Sequence, residues 1–157
     1  MTDSRPHSEQ PDAIWALGCL FVLKAASPEL EVIEALVPAG YSPPMHQHDF
    51  GTESFYVLEG RMRVVAGDSD RVYGAGEVAH VPRSTPHSFE TLDTVRVLDL
   101  SAPAGLWAFF GDCGGPAPEL RIPDEVVIPP DLPEIVARHG GRVLGPPLNR
   151  PGLQIQA

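Results

Sequence analysis

The stretch that decides the fold runs from Gly40 to Gly60 and reads GYSPPMHQHDFGTESFYVLEG. His46 and His48 are two residues apart, so on a β-strand both imidazoles point to the same face. Gly51 allows the chain to turn after them, and Glu53 then opens another strand, which we expect at a neighbouring position of the same sheet. The segment therefore brings two imidazoles and one carboxylate together.

A second segment, Gly76–Glu90, supplies a fourth candidate ligand and reads GEVAHVPRSTPHSFE. Pro82 and Pro86 restrict the backbone that leads to His87. Imidazole nitrogen combined with carboxylate oxygen suits first-row divalent ions. His46, His48, Glu53 and His87 are thus predicted to bind one divalent transition metal ion, namely iron, nickel, manganese, cobalt, copper or zinc. Four protein ligands leave two positions of an octahedral ion open, as a catalytic site requires.

Short apolar runs bounded by turn residues dominate the first hundred positions. They predict strands at Leu17–Lys24, Leu30–Val37, Glu53–Glu59, Arg61–Ala66, Glu77–Val81, His87–Thr91 and Val95–Leu100. Alternation places Met62 and Val64 inside and their neighbouring arginines outside. Gly60 is predicted to form a tight hairpin between two of the strands. This succession of short strands indicates an all-β sandwich or barrel.

The last third of the chain has a different character. Residues 103–110 have the composition of one or two helical turns, and a Gly/Pro-rich connector follows. Asp131 is placed to cap a second short helix that continues through Ala137, and Gly140 and Gly141 provide its stop.

Composition limits the classes of partner. The chain has 157 residues, 43% of them apolar, which indicates one globular domain. A net charge of −10 with Lys24 as the only lysine disfavours nucleic acid and anionic membrane surfaces. Cys19 and Cys113 are too few for a disulfide framework. The apolar segment Ala13–Ala26 is too short to span a bilayer and lacks the basic start of a signal peptide, so a cytoplasmic protein is expected.

The two motifs resemble those of the cupin superfamily. Gly40–Gly60 is similar to the first cupin motif at its defining positions: glycine, two histidines, glutamate and glycine. Gly76–His87 resembles the second, with Ser84 where a glycine is usual and Thr91 where an asparagine is usual. The resemblance implies a cupin jelly-roll β-barrel (double-stranded β-helix) with a short helical C-terminal extension.

Flanking segments are similar to single-domain bacterial cupins of the quercetin 2,3-dioxygenase-like group. The similarity lies in Trp15–Gly18, Pro82–Phe89, Ser101–Gly105 and Arg138–Pro147. Residues 1–12 are polar and hold two prolines, which predicts a flexible tail. The resemblance implies a barrel at 13–102 and an extension at 103–157 whose short helices pack on the barrel. It also implies a homodimer, a small-molecule substrate and, for an oxygenase, O2.

Several side chains are candidates to act beside the metal. Glu53 either only holds the ion or also leaves it to accept a proton from a substrate hydroxyl, as the resembled group implies. Alternation along the strands predicts that several apolar side chains face inward and line the substrate pocket, although they would serve equally as barrel core. These residues are Phe55, Val57, Met62, Val64 and Phe89. His80 is a candidate substrate contact or a hydrogen-bonded structural histidine.

Three functions fit these residues. The first is a metal-dependent dioxygenase acting on an aromatic, phenolic or flavonol-like small molecule, towards which the family resemblance leans. The second is a redox-neutral cyclase, isomerase or lyase acting on a polyketide-like substrate, with Glu53 or His80 moving a proton. The third is a binding module without turnover, because cupins host all three classes.

Overall fold

The computed structural model describes residues 12–152. Except for Asp12, the tail expected at residues 1–12 lies outside the described residues. The described chain contains twelve strands and two helices. The strands are β1 Ala13–Ala16, β2 Cys19–Ser27, β3 Leu30–Val37, β4 Pro44–His48, β5 Thr52–Glu59, β6 Met62–Ala66, β7 Ser69–Tyr73, β8 Val78–Val81, β9 His87–Thr91, β10 Val95–Ala102, β11 Gly114–Pro116 and β12 Gly141–Pro147; the helices are α1 Leu106–Cys113 and α2 Leu132–Arg138.

Two antiparallel sheets form the jelly-roll barrel that the sequence predicted. The larger has the order β11-β1-β2-β3-β10-β5-β8, and the smaller β12-β4-β9-β6-β7. Alternate residues of the strands point between the sheets, so that Ile33, Val57, Met62 and Val95 are fully buried. Met62 and Val64 point inward as predicted. No helix of residues 12–152 has the length and apolarity needed to cross a membrane.

The beginning of the chain forms a hairpin where the sequence predicted a single strand at Leu17–Lys24. Leu17 and Gly18 both adopt positive φ angles, 54° and 82°, between β1 and β2. Ala16 pairs with Cys19 directly across this turn. Two successive residues with positive φ are typical of the tight turns that suit the twist of paired strands. The sequence pattern did not predict this turn, because leucine rarely adopts a positive φ angle.

The predicted hairpin at Gly60 is wrong. Strand β5 belongs to the larger sheet and β6 to the smaller one, so the chain crosses between sheets at this glycine. Gly60 has a φ of +81°, and a Cβ there would lie 2.5 Å from the carbonyl oxygen of Thr94. The glycine is therefore required by a close approach of two backbone segments.

The C-terminal segment contributes strands as well as helices. Strand β11 pairs with β1 and β12 with β4, which adds one edge strand to each sheet. Helix α1 begins at Leu106, where the backbone N–H groups of Gly105, Leu106 and Trp107 all donate to Oε2 of the buried Glu31. Asp131 precedes α2, but its side chain makes no capping hydrogen bond.

Candidate metal centre

The four predicted ligands come together from both sheets. His46 and His48 lie on β4, and His87 lies on β9, directly opposite His46. Glu53 lies on β5 of the larger sheet. The expectation that Glu53 follows in the same sheet is therefore wrong, because the loop at Gly51 carries the chain across the barrel. The site joins the two sheets.

The ligand atoms are close enough to share one ion. One nitrogen or oxygen from each of His46, His48, Glu53 and His87 lies within 4.8 Å of all the others. Glu53 Oε2 is 2.8 Å from His48 Nε2 and 3.6 Å from His87 Nε2. The side chains of His48, Glu53 and His87 are 14%, 7% and 1% exposed, so the cluster is almost dry.

Backbone carbonyls fix the tautomers of two of the histidines. His46 Nδ1 lies 2.7 Å from the carbonyl oxygen of Pro44, and His87 Nδ1 lies 2.8 Å from that of Thr85. Because a carbonyl oxygen can only accept, each Nδ1 carries the hydrogen and donates it. Each Nε2 then presents a lone pair to the centre of the cluster, which is how outer hydrogen bonds prepare histidine ligands for a metal.

The electrostatics of the cluster favour cation binding. Burial, reinforced by His87 and His48, lowers the pKa of His46 to about 3 and keeps its imidazole neutral. Burial alone would raise the pKa of Glu53, but His48 and His87 hold it well below the usual range. Burial also opposes protonation of His87, yet the nearby carboxylate of Glu53 raises the pKa of that imidazole. The cluster thus holds a carboxylate among imidazoles.

Of the buried side-chain atoms that lack a hydrogen bond within residues 12–152, two belong to this cluster, namely Glu53 Oε2 and His87 Nε2. Both face the centre of the cluster, where a divalent cation would satisfy them. Three nitrogens and one oxygen form a donor set that first-row transition metals accept. The residues present therefore fit a metal ion, and this donor set suits several of the candidate metals.

The two departures from the second cupin motif each make a local contact. Ser84 has a φ of 58°, the left-handed conformation that the usual glycine adopts easily. Its Oγ donates to Asp49 Oδ1 at 2.8 Å, and its backbone N–H donates to the carbonyl of His48 at 2.9 Å. Thr91 is buried and its Oγ1 donates to the carbonyl of Pro38. The same Oγ1 accepts a hydrogen bond from the backbone N–H of Tyr41 at 2.9 Å, so Ser84 and Thr91 both contact the first motif.

A cavity of about 730 Å³ opens from the metal cluster and is lined mainly by apolar side chains. Phe50 packs beside His48, with ring centroids 5.5 Å apart. Phe55 and Phe89 lie two residues after Glu53 and His87 on the same strands, and their rings meet at 5.7 Å. Tyr41 continues this aromatic wall, 6.0 Å from Phe89. The volume is that of a small-molecule site.

The predicted pocket residues fall into three groups. Phe55, Met62 and Phe89 line the cavity. Val57 and Val64 are buried in the core, outside the lining of the cavity. His80 is exposed on the outer face of β8, where its Nδ1 lies 2.7 Å from Ser54 Oγ. It points away from the cavity because its neighbours Ala79 and Val81 are the inward residues of that strand.

Asp99 is an ionisable cavity residue that the sequence did not predict. Asp99 lines the cavity, is only 5% exposed, and has an Oδ1 without a hydrogen bond within the described chain. Burial, together with the nearby charge of Glu53, raises the pKa of Asp99 well above its usual value. The signal was present in β10, where Asp99 shares its inward parity with Val95 and Val97.

Comparison with known proteins agrees with this architecture. Residues 32–101 match the family model of the cupin domain. Residues 32–101 therefore form a cupin domain, and this part of the chain belongs to the cupin superfamily. This cupin segment contains all four candidate ligands, and it spans the strands from β3 to β10.

Two curated proteins are similar to this cupin. An uncharacterised protein of Methanocaldococcus jannaschii, MJ1618, is 32% identical over 72 residues, which cover 45% of this chain and 58% of that protein. Quercetin 2,3-dioxygenase of Bacillus subtilis is 31% identical over 87 residues, covering 54% of this chain and 26% of the enzyme. The chain thus spans less than two thirds of either relative.

Solved structures show the same fold. KdgF from a Halomonas species superimposes with a TM-score of 0.57 at 22% identity, and the superposition covers 66% of this chain and 96% of KdgF. At this identity the likeness establishes the jelly-roll barrel and carries no statement about activity.

Proposed function

We propose that this cupin is a metal-dependent dioxygenase that acts on an aromatic, phenolic small molecule. The observation that carries the proposal is the position of the ligand cluster in the wall of a mainly apolar cavity. His48 and Glu53 line the cavity together with Phe50, Phe55 and Phe89. Such a site combines open metal positions with surfaces on which a flat apolar ring packs well.

A divalent ion held by the four ligands would lower the pKa of a substrate hydroxyl and, if redox-active, would support reaction with O2. The chain itself supplies positioning and proton transfer. Phe50 and Phe55 would hold an aromatic ring beside His48 and Glu53, which restricts its orientation. Among the four ligands, Glu53 is the candidate to accept the hydroxyl proton, because it is the one carboxylate of the set and lines the cavity.

The similarity to quercetin 2,3-dioxygenase supports this proposal for the barrel only. The matched residues cover about a quarter of that enzyme, so its substrate and reaction come to this chain as part of the proposal.

A redox-neutral cyclase, isomerase or lyase acting on a polyketide-like substrate is the second candidate, and Asp99 favours it. Its carboxyl group is buried next to Glu53, and the nearby charge of Glu53 raises the pKa of Asp99. A carboxylate beside a neutral carboxylic acid is an arrangement suited to moving a proton from one ligand atom to another. A cupin that binds its ligand without turnover would need neither group to exchange protons.

Oxygen uptake separates these candidates. Protein reconstituted separately with iron, nickel and manganese is mixed with quercetin in an oxygen electrode. We expect stoichiometric oxygen consumption that is lost in His48→Ala and kept in His80→Ala, whose histidine lies outside the cavity. Conversion at an equal rate without oxygen would overturn the dioxygenase and favour the redox-neutral enzyme. Binding of quercetin without conversion would favour the binding module.

The oligomeric state and the cellular location of the protein belong to the same proposal. We expect a cytoplasmic homodimer. Light scattering of the purified protein tests the dimer, and a mass near the 16.9 kDa of a single chain would overturn it.

A further inference from the structure

A second pair of ionisable side chains lies at the cavity, apart from the metal ligands. His139 directly follows α2, and Asp112 lies near the end of α1. His139 Nε2 is 2.7 Å from Asp112 Oδ2, and the two side chains are 21% and 48% exposed. His139 also lines the cavity. Sequence reasoning assigned no partner to this histidine, because Asp112 is far from it along the chain.

The contact with Asp112 determines which nitrogen of His139 is basic. An ionised carboxylate only accepts hydrogen bonds, so Nε2 carries the hydrogen and Nδ1 carries the lone pair. Within residues 12–152, no group forms a hydrogen bond with this Nδ1. A carboxylate that fixes the tautomer and orientation of an imidazole is the arrangement that prepares histidine to act as a base.

Phe50 lies close both to the metal centre and to the segment that carries His139. Its ring packs against His48 at 5.5 Å. A Cβ added at Gly140, the residue after His139, would lie 3.4 Å from Phe50 Cβ. The backbone N–H of Asp49 donates to the carbonyl of Gly140 at 2.8 Å, which fixes this spacing. His48, Phe50 and His139 all line this cavity, so a ring lying on Phe50 would share the cavity with both imidazoles.

The charges around His139 are few. Arg138, on the same helix, approaches Asp112 Oδ2 at 3.8 Å and partly balances it. From β12 and the loop after β4, Arg142 and Asp49 form their own pair at 3.2 Å. The ring of Phe109 covers one side of His139 at 5.9 Å. Asp112 is thus the charged group in hydrogen-bond contact with the imidazole.

We propose that His139, oriented by Asp112, accepts a proton from a hydroxylated aromatic ligand bound in the cavity. The O–H bond of the ligand breaks, an N–H bond forms at His139 Nδ1, and the electron pair stays on the ligand oxygen. The resulting imidazolium lies beside the carboxylate of Asp112. The inference rests on the cavity being the ligand site, as proposed above, and requires no reaction with oxygen.

A purely structural link between α1 and α2 predicts different behaviour from Asp112→Asn. The amide still accepts a hydrogen bond from Nε2, so a structural link would be kept. It also offers an N–H donor, which stabilises the opposite tautomer and removes the lone pair from Nδ1. Loss of proton acceptance with an unchanged melting temperature therefore separates the two roles.

The test uses 4-nitrocatechol, whose absorption spectrum reports its ionisation, with zinc-loaded protein at about pH 7, just above the ordinary pKa of histidine, where an imidazole is free to accept a proton. Wild-type protein is expected to bind the probe in its ionised form. The ratio of ionised to neutral bound probe should fall about tenfold in His139→Gln and Asp112→Asn, which corresponds to a shift of about one pKa unit. His80→Gln is the matched control, because its imidazole also has a hydrogen-bonded side-chain partner, Ser54, but lies outside the cavity.

An unchanged ratio in His139→Gln, an equal fall in His80→Gln, or failure of the wild-type protein to ionise the probe would overturn the proposal. Long-range ¹H–¹⁵N NMR of the wild-type protein gives a second test that needs no variant. His139 should carry its hydrogen on Nε2 and should gain a second one on Nδ1 when 4-nitrocatechol is added. If the probe is ionised but quercetin consumes no oxygen, the dioxygenase fails while this inference holds.

Discussion

His48 Nε2 and Glu53 Oε2 lie 2.8 Å apart although their strands belong to different sheets of the barrel. Their contact exists only when the two sheets are packed together. The metal site is therefore a product of the tertiary structure, and the four residues between them along the chain serve to cross from one sheet to the other.

Metal should consequently stabilise the folded protein. An ion that binds the native state adds about 2.7 kcal/mol to the free energy of unfolding when its concentration is a hundredfold above Kd. Chemical denaturation of metal-free protein, with and without added nickel or zinc, measures this. The His48→Ala variant should gain much less than the wild-type protein, and an equal gain in both would contradict a site that depends on His48.

Metal affinity should fall as the pH is lowered through the raised pKa of His87. Burial opposes protonation of His87, but Glu53 raises its pKa above 6.5, so a proton competes with the metal from about neutral pH downward. His46 does not compete there, because its pKa is about 3. Competition with a chromophoric chelator between about pH 8 and about pH 5.5 should show affinity falling up to about tenfold per pH unit. A constant affinity over this interval would be inconsistent with proton competition at His87.

Glu31→Gln should destabilise the protein by about 1–2 kcal/mol, because one charged acceptor holds three backbone N–H groups at the start of α1. The glutamine keeps the size of the side chain but removes the charge. Urea unfolding of the metal-free protein measures the loss. Glu29→Gln is the control, since Glu29 is exposed in the turn before β3 and should change stability little. Equal stability of the two variants would show that α1 does not need this anion.

Asp99→Asn should make the metal-free protein less sensitive to alkali. Burial and Glu53 raise the pKa of Asp99 in the folded state, so the folded protein keeps a proton that the unfolded chain loses above about pH 3.8. Stability should therefore fall as pH rises from that value towards the raised pKa. Asparagine has no such proton, and the difference between variant and wild type should grow with pH over this window. Parallel stability–pH curves would contradict the assignment.

The sequence predicted the parts of this fold that depend on local pattern. Strands Leu30–Val37 and His87–Thr91 appear with the predicted bounds, because their apolar alternation and flanking turn residues are unambiguous. The four metal ligands were predicted from residue type and spacing, and the structure places them within reach of one ion. A local pattern does not show to which sheet a strand belongs. For this reason the strand of Glu53 was predicted in the same sheet as His46 and His48, and a hairpin was predicted at Gly60.

Long-range polar contacts could not be read in the same way. Glu31 is separated by more than seventy residues from the helix start that it binds, and Asp112 is far from His139 along the chain. The two-residue period of a strand gave a partial signal for Glu31 and Asp99, since both lie on the same face of their strands as buried apolar residues. Parity shows that a carboxyl group faces the interior, but its partner depends on which strands and loops surround it.

Metal content tests the central claim most directly. Freshly purified wild-type protein and the His48→Ala and His80→Ala variants are analysed by elemental mass spectrometry, with circular dichroism to confirm that each barrel is folded. We predict about one divalent transition metal ion per chain in the wild-type and His80→Ala proteins, and a loss of most of it in folded His48→Ala. Equal metal content in folded His48→Ala and the wild-type protein would contradict the assignment of the site.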